Sequence, residues 1–470
     1  MRAFISPSSR KRMGARVGAL YSIPKDSLSA DVLEEERTRL TLQPKSSFGK
    51  PPPSFAVWSE DDLFLHVPRF YGMDRFGDAE HDDRSDGIDV PRMHFEGALT
   101  DLQTRALDIV HARHLCPDGV YGTKVLLPCG KGKTVLAVKL ATMHKKKTFV
   151  IVHKGIIRDQ WKEKFEAFCP GIRVGFLQGK LWQVGDDYDV VIGMVMTLAK
   201  REHLEASTFD DFGLVIVDEA HHLAAPVMSR AMRLFRAKIV LGLTATKDRP
   251  DGLTPLLDWS LGPDGFSAER DASEQVRVSM ALFEGGTKEI QTRAGQPLVA
   301  VMLNNLAANV RRNTFIAKRI VALRRVGRII MILSDRIAQL TTLRDLVVSM
   351  SAGAIPAEDV GIFRGGQSDT DRELQIQKPI VMCTYGMANE GVDKKEADTC
   401  IMATPKGRVV QCIGRVQRPC ENKMPPLVID VVDDVSIFTS LRWSRQKMYN
   451  KNKYELQVLP ATAGEAEWFC

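Results

Sequence analysis

Short apolar runs alternate with longer amphipathic segments along the chain from Lys124 onward. The runs begin with KVLLP, TFVIVH and GLVIVDE, and later include RIIMILS, IVMCTY and PLVIDVV. Because these runs are apolar at every position, they are typical of strands that are buried on both faces. Helix-like stretches such as RDQWKEKFEAF and NTFIAKRIVALRR lie between them. The pattern predicts parallel sheets covered by helices, which is an α/β fold.

The series of strands is too long for one compact sheet, and it is interrupted by the polar, aperiodic stretch SLGPDGFSAERDASEQ (260–275). The sequence therefore predicts two tandem doubly wound lobes, preceded by a small α+β accessory domain. The expected boundaries are a basic disordered tail at 1–17, an N-terminal accessory domain at 18–95, a first lobe at 96–265, a linker at 266–279, a second lobe at 280–460 and a C-terminal tail at 461–470.

Composition and charge narrow the classes of partner. The formal net charge of +7 over 470 residues suits a polyanionic partner but does not establish one. No apolar run reaches the roughly 18–20 residues of a membrane span, so no membrane partner is expected. The eight cysteines are scattered without a CxxC pair, which predicts an intracellular reducing compartment and no disulfide framework. His111, His114 and Cys116 in HARHLC are interpreted as chance positions on an amphipathic helix rather than as metal ligands.

The stretch LPCGKGKT (127–134) has the context of a phosphate-binding loop, since it follows a predicted strand and precedes a predicted helix. Gly130 and Gly132 allow backbone N–H groups to turn inward around a phosphate, and the helix N-terminus adds partial positive charge. We expect Lys133 to reach the β- and γ-phosphates and the Thr134 hydroxyl to bind Mg²⁺. The strict pattern has glycine at the position of Leu127.

The run GLVIVDEAHH places two carboxylates at the end of a buried strand. We expect Asp218 to act on Mg²⁺, directly or through its water shell, and Glu219 to orient or deprotonate the attacking water. An acidic pair after a strand is common, but the pair followed by Ala-His and preceded by a phosphate-binding loop is a strong indication.

The stretch VVQCIGRVQRP predicts a cationic helix face. On a helix starting near Val409, Gln411, Arg415 and Arg418 are at i, i+4 and i+7, and so share one face. Such a face suits a γ-phosphate, where a second cationic group contributes about 10³–10⁵ in rate. The alternative is an ordinary solvated basic surface.

Taken in order, LPCGKGKT, VDEAHH, GLTAT (242–246), CTYGMANEGVD (383–393) and QCIGRVQR resemble motifs I, II, III, V and VI of superfamily 2 helicases. MILSDR (331–336) resembles motif IV, and TFVIVHKGIIRDQWKEKF resembles motif Ia. GLTATKDRPDG is similar to the motif III region of the XPB-like and phage UvsW-like branch. The stretches YSIPKDSLSADVLEEERTRLTLQPKS and HVPRFYGMDRFG resemble the amino-terminal module of helicases from large nucleocytoplasmic DNA viruses, of the poxvirus transcript-release type.

The resemblance, which covers about 98–435, implies two RecA-like lobes and further site residues. These are an adenine contact (Gln103), two motif V residues beside the ribose (Gly391, Asp393), and residues that couple phosphate state to strand grip (His221, Thr244, Thr246). The threonine pair is equally well interpreted as a satisfied strand end. Two departures from the family pattern are Lys247 in place of proline and Thr100–Asp101–Leu102 in place of Arg-Pro-Tyr before Gln103.

Helicases of this class hold one strand by its phosphates across both lobes. The candidate contacts here are loop residues just past predicted parallel strands, where ligands gather in such sheets. They are Lys154, Thr197, Arg364 and Thr384. Taken alone, a residue of this kind is more often a solvated surface group.

The expected function is that of a viral nucleic-acid-dependent ATPase and DNA helicase or translocase that uses ATP and Mg²⁺. Its expected partners are single-stranded or duplex DNA, RNA or a DNA–RNA hybrid, and the transcription machinery. The chain itself is expected to be a monomer. It would act in transcription or genome maintenance, at replication sites in the host cytoplasm or nucleus, or in the virion. The alternatives are an RNA helicase of the DEAD/DEAH type and a nucleotide-gated nucleic-acid clamp that does not unwind.

Overall fold

The structure is a computed structural model. The residues that it describes are 11–45, 52–115, 121–128, 130–201, 204–220, 226–245, 251–268, 276–390, 394–407, 409–418, 420–464 and 468. The chain forms two compact units, Met1–Glu269 and Arg270–Cys470. Within the described residues, no helix combines the length and apolar character that crossing a bilayer requires.

The first unit begins with the accessory module. Its strands are β1 (Arg12–Val17), β2 (Leu20–Pro24), β3 (Thr41–Leu42), β4 (Phe55–Ala56), β5 (Ser59–Glu60), β6 (Phe64–Pro68) and β7 (Ala79–Asp82), and its helices are α1 (Ala30–Arg39) and α2 (Arg69–Phe76). Five strands form one sheet in the order β5-β6-β2-β1-β7, while β3 and β4 pair separately.

The expectation of a disordered tail over 1–17 is wrong for its second part. Residues 12–17 form β1, which pairs with β2 and β7 and buries Ala15 and Val17. The basic residues that suggested a solvated tail alternate with these small and apolar positions, so one face of the strand is covered. Residues 1–10 lie outside the described part of the chain.

The remainder of the first unit is the first lobe. Its strands are β8 (Gly122–Leu126), β9 (Thr148–Val152), β10 (Val174–Gln178), β11 (Leu181–Trp182), β12 (Val190–Met194), β13 (Leu214–Val217), β14 (Ile239–Thr244) and β15 (Asp264–Ser267). Its helices are α3 (Asp101–His114), α4 (Lys133–His144), α5 (Gly155–Phe168), α6 (Val195–Ala199), α7 (Pro226–Met232) and α8 (Thr254–Leu261).

The sheet of the first lobe has the order β11-β10-β12-β9-β13-β14-β8-β15. Its pairs are parallel except for the hairpin of β10 and β11. Alternate residues of β9 contribute to two cores, with Phe149 and Ile151 on one face and Val150 and Val152 on the other. Because both faces are covered, a run that is apolar throughout is stable as a strand.

The second unit is the second lobe. Its strands are β16 (Arg277–Phe283), β17 (Ile330–Ser334), β18 (Val360–Phe363), β19 (Ile380–Thr384), β20 (Thr399–Met402), β21 (Leu427–Asp433) and β22 (Glu455–Pro460). Its helices are α9 (Val299–Ala308), α10 (Val310–Arg325), α11 (Ile337–Met350), α12 (Asp369–Ile376), α13 (Tyr385–Glu390), α14 (Val410–Val416) and α15 (Ile437–Lys451). The strands pair in parallel in the order β18-β19-β17-β20-β21-β16-β22. The predicted α/β fold with two parallel-sheet lobes is confirmed.

Two expected boundaries differ from the structure. The linker predicted at 266–279 overlaps β15, which pairs with β8 up to Ser267, and β16, which begins at Arg277. The tail predicted at 461–470 includes Trp468, which is fully buried against the core of the second lobe. The Trp468 ring lies 5.8 Å from that of Phe315. Phe266 of β15 likewise packs against the core of the first lobe. In both places an aromatic side chain packs a segment against a core although polar residues near it in the sequence suggested a linker or a tail.

The histidines of HARHLC pack in the helix layer of the first lobe. His114 Nδ1 lies 3.2 Å from Nε2 of His144, and the His111 ring lies 5.1 Å from the His144 ring. Burial lowers the pKa of His114 to about 3 and that of His144 to about 4, so both rings are neutral at pH 7. Cys116 lies outside the described residues.

A segment that follows the accessory sheet, the edge segment (residues 85–92), runs along one edge of the first lobe's sheet. The Lys238 N–H donates to the Ser85 carbonyl at 2.8 Å, and the Lys147 N–H donates to the Ile88 carbonyl at 2.8 Å. Arg92 lies 3.7 Å from Asp189. These three partners directly precede β14, β9 and β12, so the edge segment covers the amino ends of the parallel strands.

The accessory module is anchored to the same region through α2. The buried Arg69 guanidinium donates to the carbonyls of Phe235 at 2.9 Å and Ala237 at 2.7 Å. The Tyr71 ring contacts the edge of Trp259 at 5.1 Å. Buried charged groups are tolerated only when they are hydrogen-bonded, so the two hydrogen bonds of Arg69 specify one geometry for the docking of α2.

We expect Arg69→Ala to lower the free energy of unfolding of the first unit by about 2–4 kcal/mol, because two buried carbonyls lose their donor. Urea denaturation and limited proteolysis between the accessory module and the lobe would measure the effect. The control is Arg16→Ala, which removes a half-exposed ion pair with Asp83 and should change little. Equal effects of the two substitutions would contradict the anchoring role of Arg69.

Candidate nucleotide-binding site

The LPCGKGKT loop joins the carboxyl end of β8 to the first turn of α4. Gly130 and Gly132 have positive φ angles of 83° and 72°, a conformation that glycine adopts without strain. Leu127 is fully buried, and its N–H donates to the Thr244 carbonyl at 3.2 Å. The first position of the loop therefore continues the sheet into the core, which explains why a large apolar residue is accommodated there.

Lys133 opens α4 and is turned into the loop. Its ammonium donates to the Leu127 carbonyl at 3.1 Å, and the side chain is 9% exposed. Thr134 follows in the first turn and is half-buried. Unpaired N–H groups of a helix N-terminus and an inward lysine make a site for a polyanion such as a triphosphate.

Gln103 connects α3 to this loop. Its amide oxygen accepts the Thr100 N–H at 2.8 Å in a capping box, and its amide nitrogen donates to the Gly132 carbonyl at 3.1 Å. A Cβ atom at Gly132 would lie 2.1 Å from this amide nitrogen, so the contact requires glycine. The residues Thr100–Asp101–Leu102, which depart from the family pattern, thus form the start of α3. Thr100 caps the helix, and Asp101 lies in its first turn.

The acid pair follows β13, two strands away from the loop in the sheet. The Asp218 carboxylate accepts the Glu219 N–H at 2.9 Å and the Trp161 indole N–H at 2.8 Å. Burial and the neighbouring Glu219 raise the pKa of Asp218 to about 6, against the opposing effects of Trp161 and Lys133. Lys133 is therefore close enough to Asp218 to favour the ionised form of its carboxyl.

Glu219 has a φ of 46°, in the left-handed region that non-glycine residues seldom adopt. Such backbone strain persists only where the surroundings hold it, and it is concentrated at functional sites. His153, at the end of β9, is close enough that Asp218 and Glu219 oppose the lowering of its pKa by burial. The carboxylates thus meet the ends of two neighbouring strands.

Trp161 was missed from the sequence. It lies on α5, is 1% exposed, and is far from Asp218 in the chain. The signal in the sequence was a tryptophan on the amphipathic helix of the motif Ia-like stretch. If such a tryptophan is buried, its indole N–H requires a hydrogen-bond acceptor. Which acceptor it meets depends on how α5 packs over β9 and β12.

The coupling residues are only partly described. Thr244 is buried at the end of β14, where it pairs in register with Leu126 of β8, next to the loop. His221, Thr246, Gly391 and Asp393 lie outside the described residues, as does Lys247. Their expected roles remain predictions.

The second lobe places the motif VI-like residues differently from the expectation. Helix α14 ends at Val416, so Gln411 and Arg415 are helical but Arg418 is not, and the predicted single helix face is wrong for Arg418. The physical reason is Pro419, since a residue before proline is disfavoured in the α conformation. Arg415 Nε donates to the Ala388 carbonyl at 3.0 Å, which ties α14 to α13.

The four candidate strand contacts follow parallel strands at the carboxyl edges of the two sheets. Lys154 is exposed after β9, and Arg364 is exposed after β18. Thr384 is the last residue of β19, and Thr197 lies within α6 rather than in a loop, with its hydroxyl accepting the Gly179 N–H at 3.0 Å. Their role in strand binding stays a prediction.

Two parallel α/β lobes, with a phosphate-binding loop and a strand-end acid pair in the first, define the class of a P-loop protein with RecA-like lobes. A family model described as the res subunit of type III restriction enzymes matches residues 96–249. A fragment of the HsdR subunit of a type I restriction enzyme from Vibrio vulnificus YJ016 shares the fold, with a TM-score of 0.58 and 15% identity over 80% of this chain and 71% of that chain.

Two viral relatives match most of the chain. A protein of Acanthamoeba polyphaga mimivirus, named as an ATP-dependent RNA helicase, is 29% identical over 451 residues, which span 93% of this chain and 85% of the mimivirus protein. A protein of African swine fever virus with the same kind of name is 26% identical over 400 residues, 78% of this chain and 75% of that protein. These matches confirm the resemblance to superfamily 2 helicases and to helicases of viruses.

The hydrogen bond from Trp161 generates a prediction about pH. Because the indole N–H favours the ionised form of Asp218, Trp161→Phe should raise the pKa of this carboxyl further above 6. If ATP hydrolysis needs the ionised carboxylate, the acid limb of its pH profile should move to higher pH, and more Mg²⁺ should be required near pH 6.5. Phosphate release measured between pH 5.5 and 8.5 would test this.

The matched control for Trp161→Phe is Phe165→Leu, one turn further along α5, fully buried and without a polar contact. It should lower stability without moving the acid limb. An unchanged acid limb in Trp161→Phe would show that the indole only packs.

Proposed function

We propose that this protein is a nucleic-acid-dependent ATPase that unwinds DNA or moves along it. The observation that carries the proposal is the convergence of Lys133, Asp218 and Glu219 at the carboxyl edge of one parallel sheet. The same edge continues to Lys154 and Thr197, so a nucleotide site and a row of strand contacts can share one rigid sheet. The helicase names of the viral relatives support the same conclusion.

In the proposed reaction, the LPCGKGKT loop and Lys133 hold the triphosphate of ATP, and Gln103 lies beside the adenine. Glu219 orients the attacking water and accepts its proton, while positioning and charge stabilisation supply most of the rate. Arg415 and Arg418 of the second lobe contribute positive charge to the γ-phosphate. Hydrolysis then changes how the lobes grip the strand, through His221, Thr244, Thr246, Gly391 and Asp393.

The residues around Asp218 suit a divalent cation. The Asp218 carboxylate, whose negative charge is disfavoured by burial, and the Thr134 hydroxyl in the first turn of α4 are oxygen ligands of the kind that Mg²⁺ prefers. Thr134 and Asp218 would hold the ion. When bound, Mg²⁺ supplies positive charge to the phosphate oxygens of ATP.

RNA is the second candidate substrate, favoured by the names of the mimivirus and African swine fever virus proteins. The TAT sequence at 244–246, where many RNA helicases have SAT, favours DNA instead. The proposed setting is viral transcription, in transcript release or elongation, or genome maintenance, in the infected cell or the virion. Non-unwinding clamp activity is the alternative in which nucleic acid binds without accelerating hydrolysis.

The test of the proposed function is the rate of phosphate release with single-stranded DNA, duplex DNA, forked DNA and RNA. We expect ATP alone to turn over slowly and one class of nucleic acid to accelerate it, because strand binding orders the closed state. Lys133→Ala serves as the blank. A rate that no nucleic acid changes would favour the clamp, and the substrate with the largest acceleration distinguishes DNA from RNA.

Glu219→Gln should retain ATP binding and reduce turnover by about 10²–10⁴-fold, because the amide keeps the shape of the side chain but cannot accept a proton. A fluorescent ATP analogue would measure binding, and phosphate release would measure turnover. Glu163→Gln, on the exposed face of α5, is the matched control. Normal turnover in Glu219→Gln would remove the assigned role.

A further inference from the structure

A short hairpin projects at the carboxyl edge of the first lobe's sheet. The tip hairpin (residues 178–182) joins β10 to β11, with Gln178 opposite Leu181 and Leu177 opposite Trp182. Gly179 has a φ of 57°, which allows the tight reversal. Since β10 runs parallel to β12, this turn lies on the same edge as the end of β12.

The tip hairpin exposes apolar surface. Trp182 is 39% exposed and Leu181 is 43% exposed, and Met196 on the adjacent α6 is 45% exposed. Neighbouring large apolar side chains on a surface usually mark a binding site. The Trp182 ring is held against the core beneath, with its centre 6.0 Å from that of the buried Phe209 ring, while 39% of the residue stays exposed.

The tip hairpin is held in place on both sides of Gly179. The Gly179 N–H donates to the Thr197 hydroxyl at 3.0 Å, and the Arg201 guanidinium donates to the Gly179 carbonyl at 2.6 Å. The same guanidinium lies 4.6 Å from the centre of the Trp182 ring. One face of the indole is therefore covered by a cation, and its position is fixed relative to Thr197.

The surroundings are cationic. Lys180, two residues before Trp182 in the chain, and Lys200, next to Arg201 in the chain, are exposed. Arg158 of α5 hydrogen-bonds Gln178 at the base of the hairpin and lies 4.7 Å from the Phe176 ring. An exposed aromatic ring among basic side chains is the arrangement that binds single-stranded nucleic acid, with bases stacked on the ring and phosphates near the cations.

The order of the strands places the tip hairpin at the end of a row. Passing outward from the nucleotide site, the carboxyl ends of β13, β9, β12 and β10 carry in turn the acid pair, Lys154, Thr197 and the tip hairpin. A strand whose phosphates contact Lys154 and Thr197 would therefore reach Trp182 next. The hydrogen bond between the Gly179 N–H and the Thr197 hydroxyl places the tip hairpin directly beside Thr197.

We propose that Trp182 is a stacking platform for an unpaired base of the bound strand, at the end of the strand track away from the ATP site. The inference rests on the proposed function and adds a base contact to a track otherwise made of phosphate contacts. The occupant is single-stranded nucleic acid, not a protein, because the indole is surrounded by lysine and arginine side chains.

The experiment compares the binding of two labelled 20-mers with the same phosphates, (dT)20 and a fully abasic strand, by fluorescence anisotropy. We expect Trp182→Ala to weaken (dT)20 binding by about 5- to 150-fold, the range for one stacked base, and to leave binding of the abasic strand nearly unchanged. ATP hydrolysis without nucleic acid should stay the same. The corresponding (rU)20 strand replaces (dT)20 if RNA gives the larger acceleration of hydrolysis.

Further variants separate stacking from apolar packing. Trp182→Tyr should retain most of the affinity, whereas Trp182→Leu should behave like the alanine variant, because only a ring stacks. Leu63→Ala is the control, since Leu63 is a 69% exposed apolar residue on the accessory module. Thermal unfolding of each variant shows whether the lobe remains folded.

Two failures are distinguishable. If the wild-type protein binds neither strand and no nucleic acid accelerates hydrolysis, the proposed function itself fails. If the wild type binds (dT)20 or (rU)20 and Trp182→Ala binds it equally well, or loses the same factor on the abasic strand, the stacking platform is overturned while the ATPase assignment stands.

Discussion

Parallel pairing of strands is the constraint on which the first lobe depends. Because every strand from β8 to β14, apart from the short β11, runs in the same direction, each loop that follows one of them emerges at the same edge of the sheet. Residues separated by more than a hundred positions along the chain, such as Leu127 and Thr244, are then joined by backbone hydrogen bonds. The sheet is buried on both faces, so this edge is where polar chemistry can be exposed without disturbing the core.

The edge is divided between two kinds of chemistry. The ends of β8, β14 and β13 carry the phosphate-binding loop, Thr244 and the acid pair, while those of β9, β12 and β10 carry basic, hydroxyl and aromatic groups. Helix α5 belongs to both halves, since Lys154 precedes its first residue and Trp161 bonds Asp218 from its second turn. A movement of α5 would change the hydrogen bond between the Trp161 indole and the Asp218 carboxylate directly.

The opposite edge of the same sheet, where the parallel strands begin, is covered by other parts of the chain. The edge segment and α2 cover the amino ends of the strands through backbone hydrogen bonds and the Arg69 guanidinium. The accessory module is therefore part of the first compact unit. The buried arginine makes this docking specific, because its donors find matching carbonyls in one geometry.

The sequence by itself determined the class of fold, and it carries the motifs from which the main site residues are proposed. Strand type follows from local periodicity, and the phosphate loop and acid pair are recognised from contiguous residues, so both could be predicted without tertiary information. The end of α14 before Pro419 was also a local signal, but the regular spacing of Gln411, Arg415 and Arg418 outweighed it. Tertiary structure alone decided that Trp161 meets Asp218, that Gln103 reaches Gly132, that residues 12–17 complete a sheet, and that Gly179 of the tip hairpin bonds Thr197. These contacts join segments far apart in the chain, and their existence depends on strand order and helix packing, which no local pattern of residues encodes.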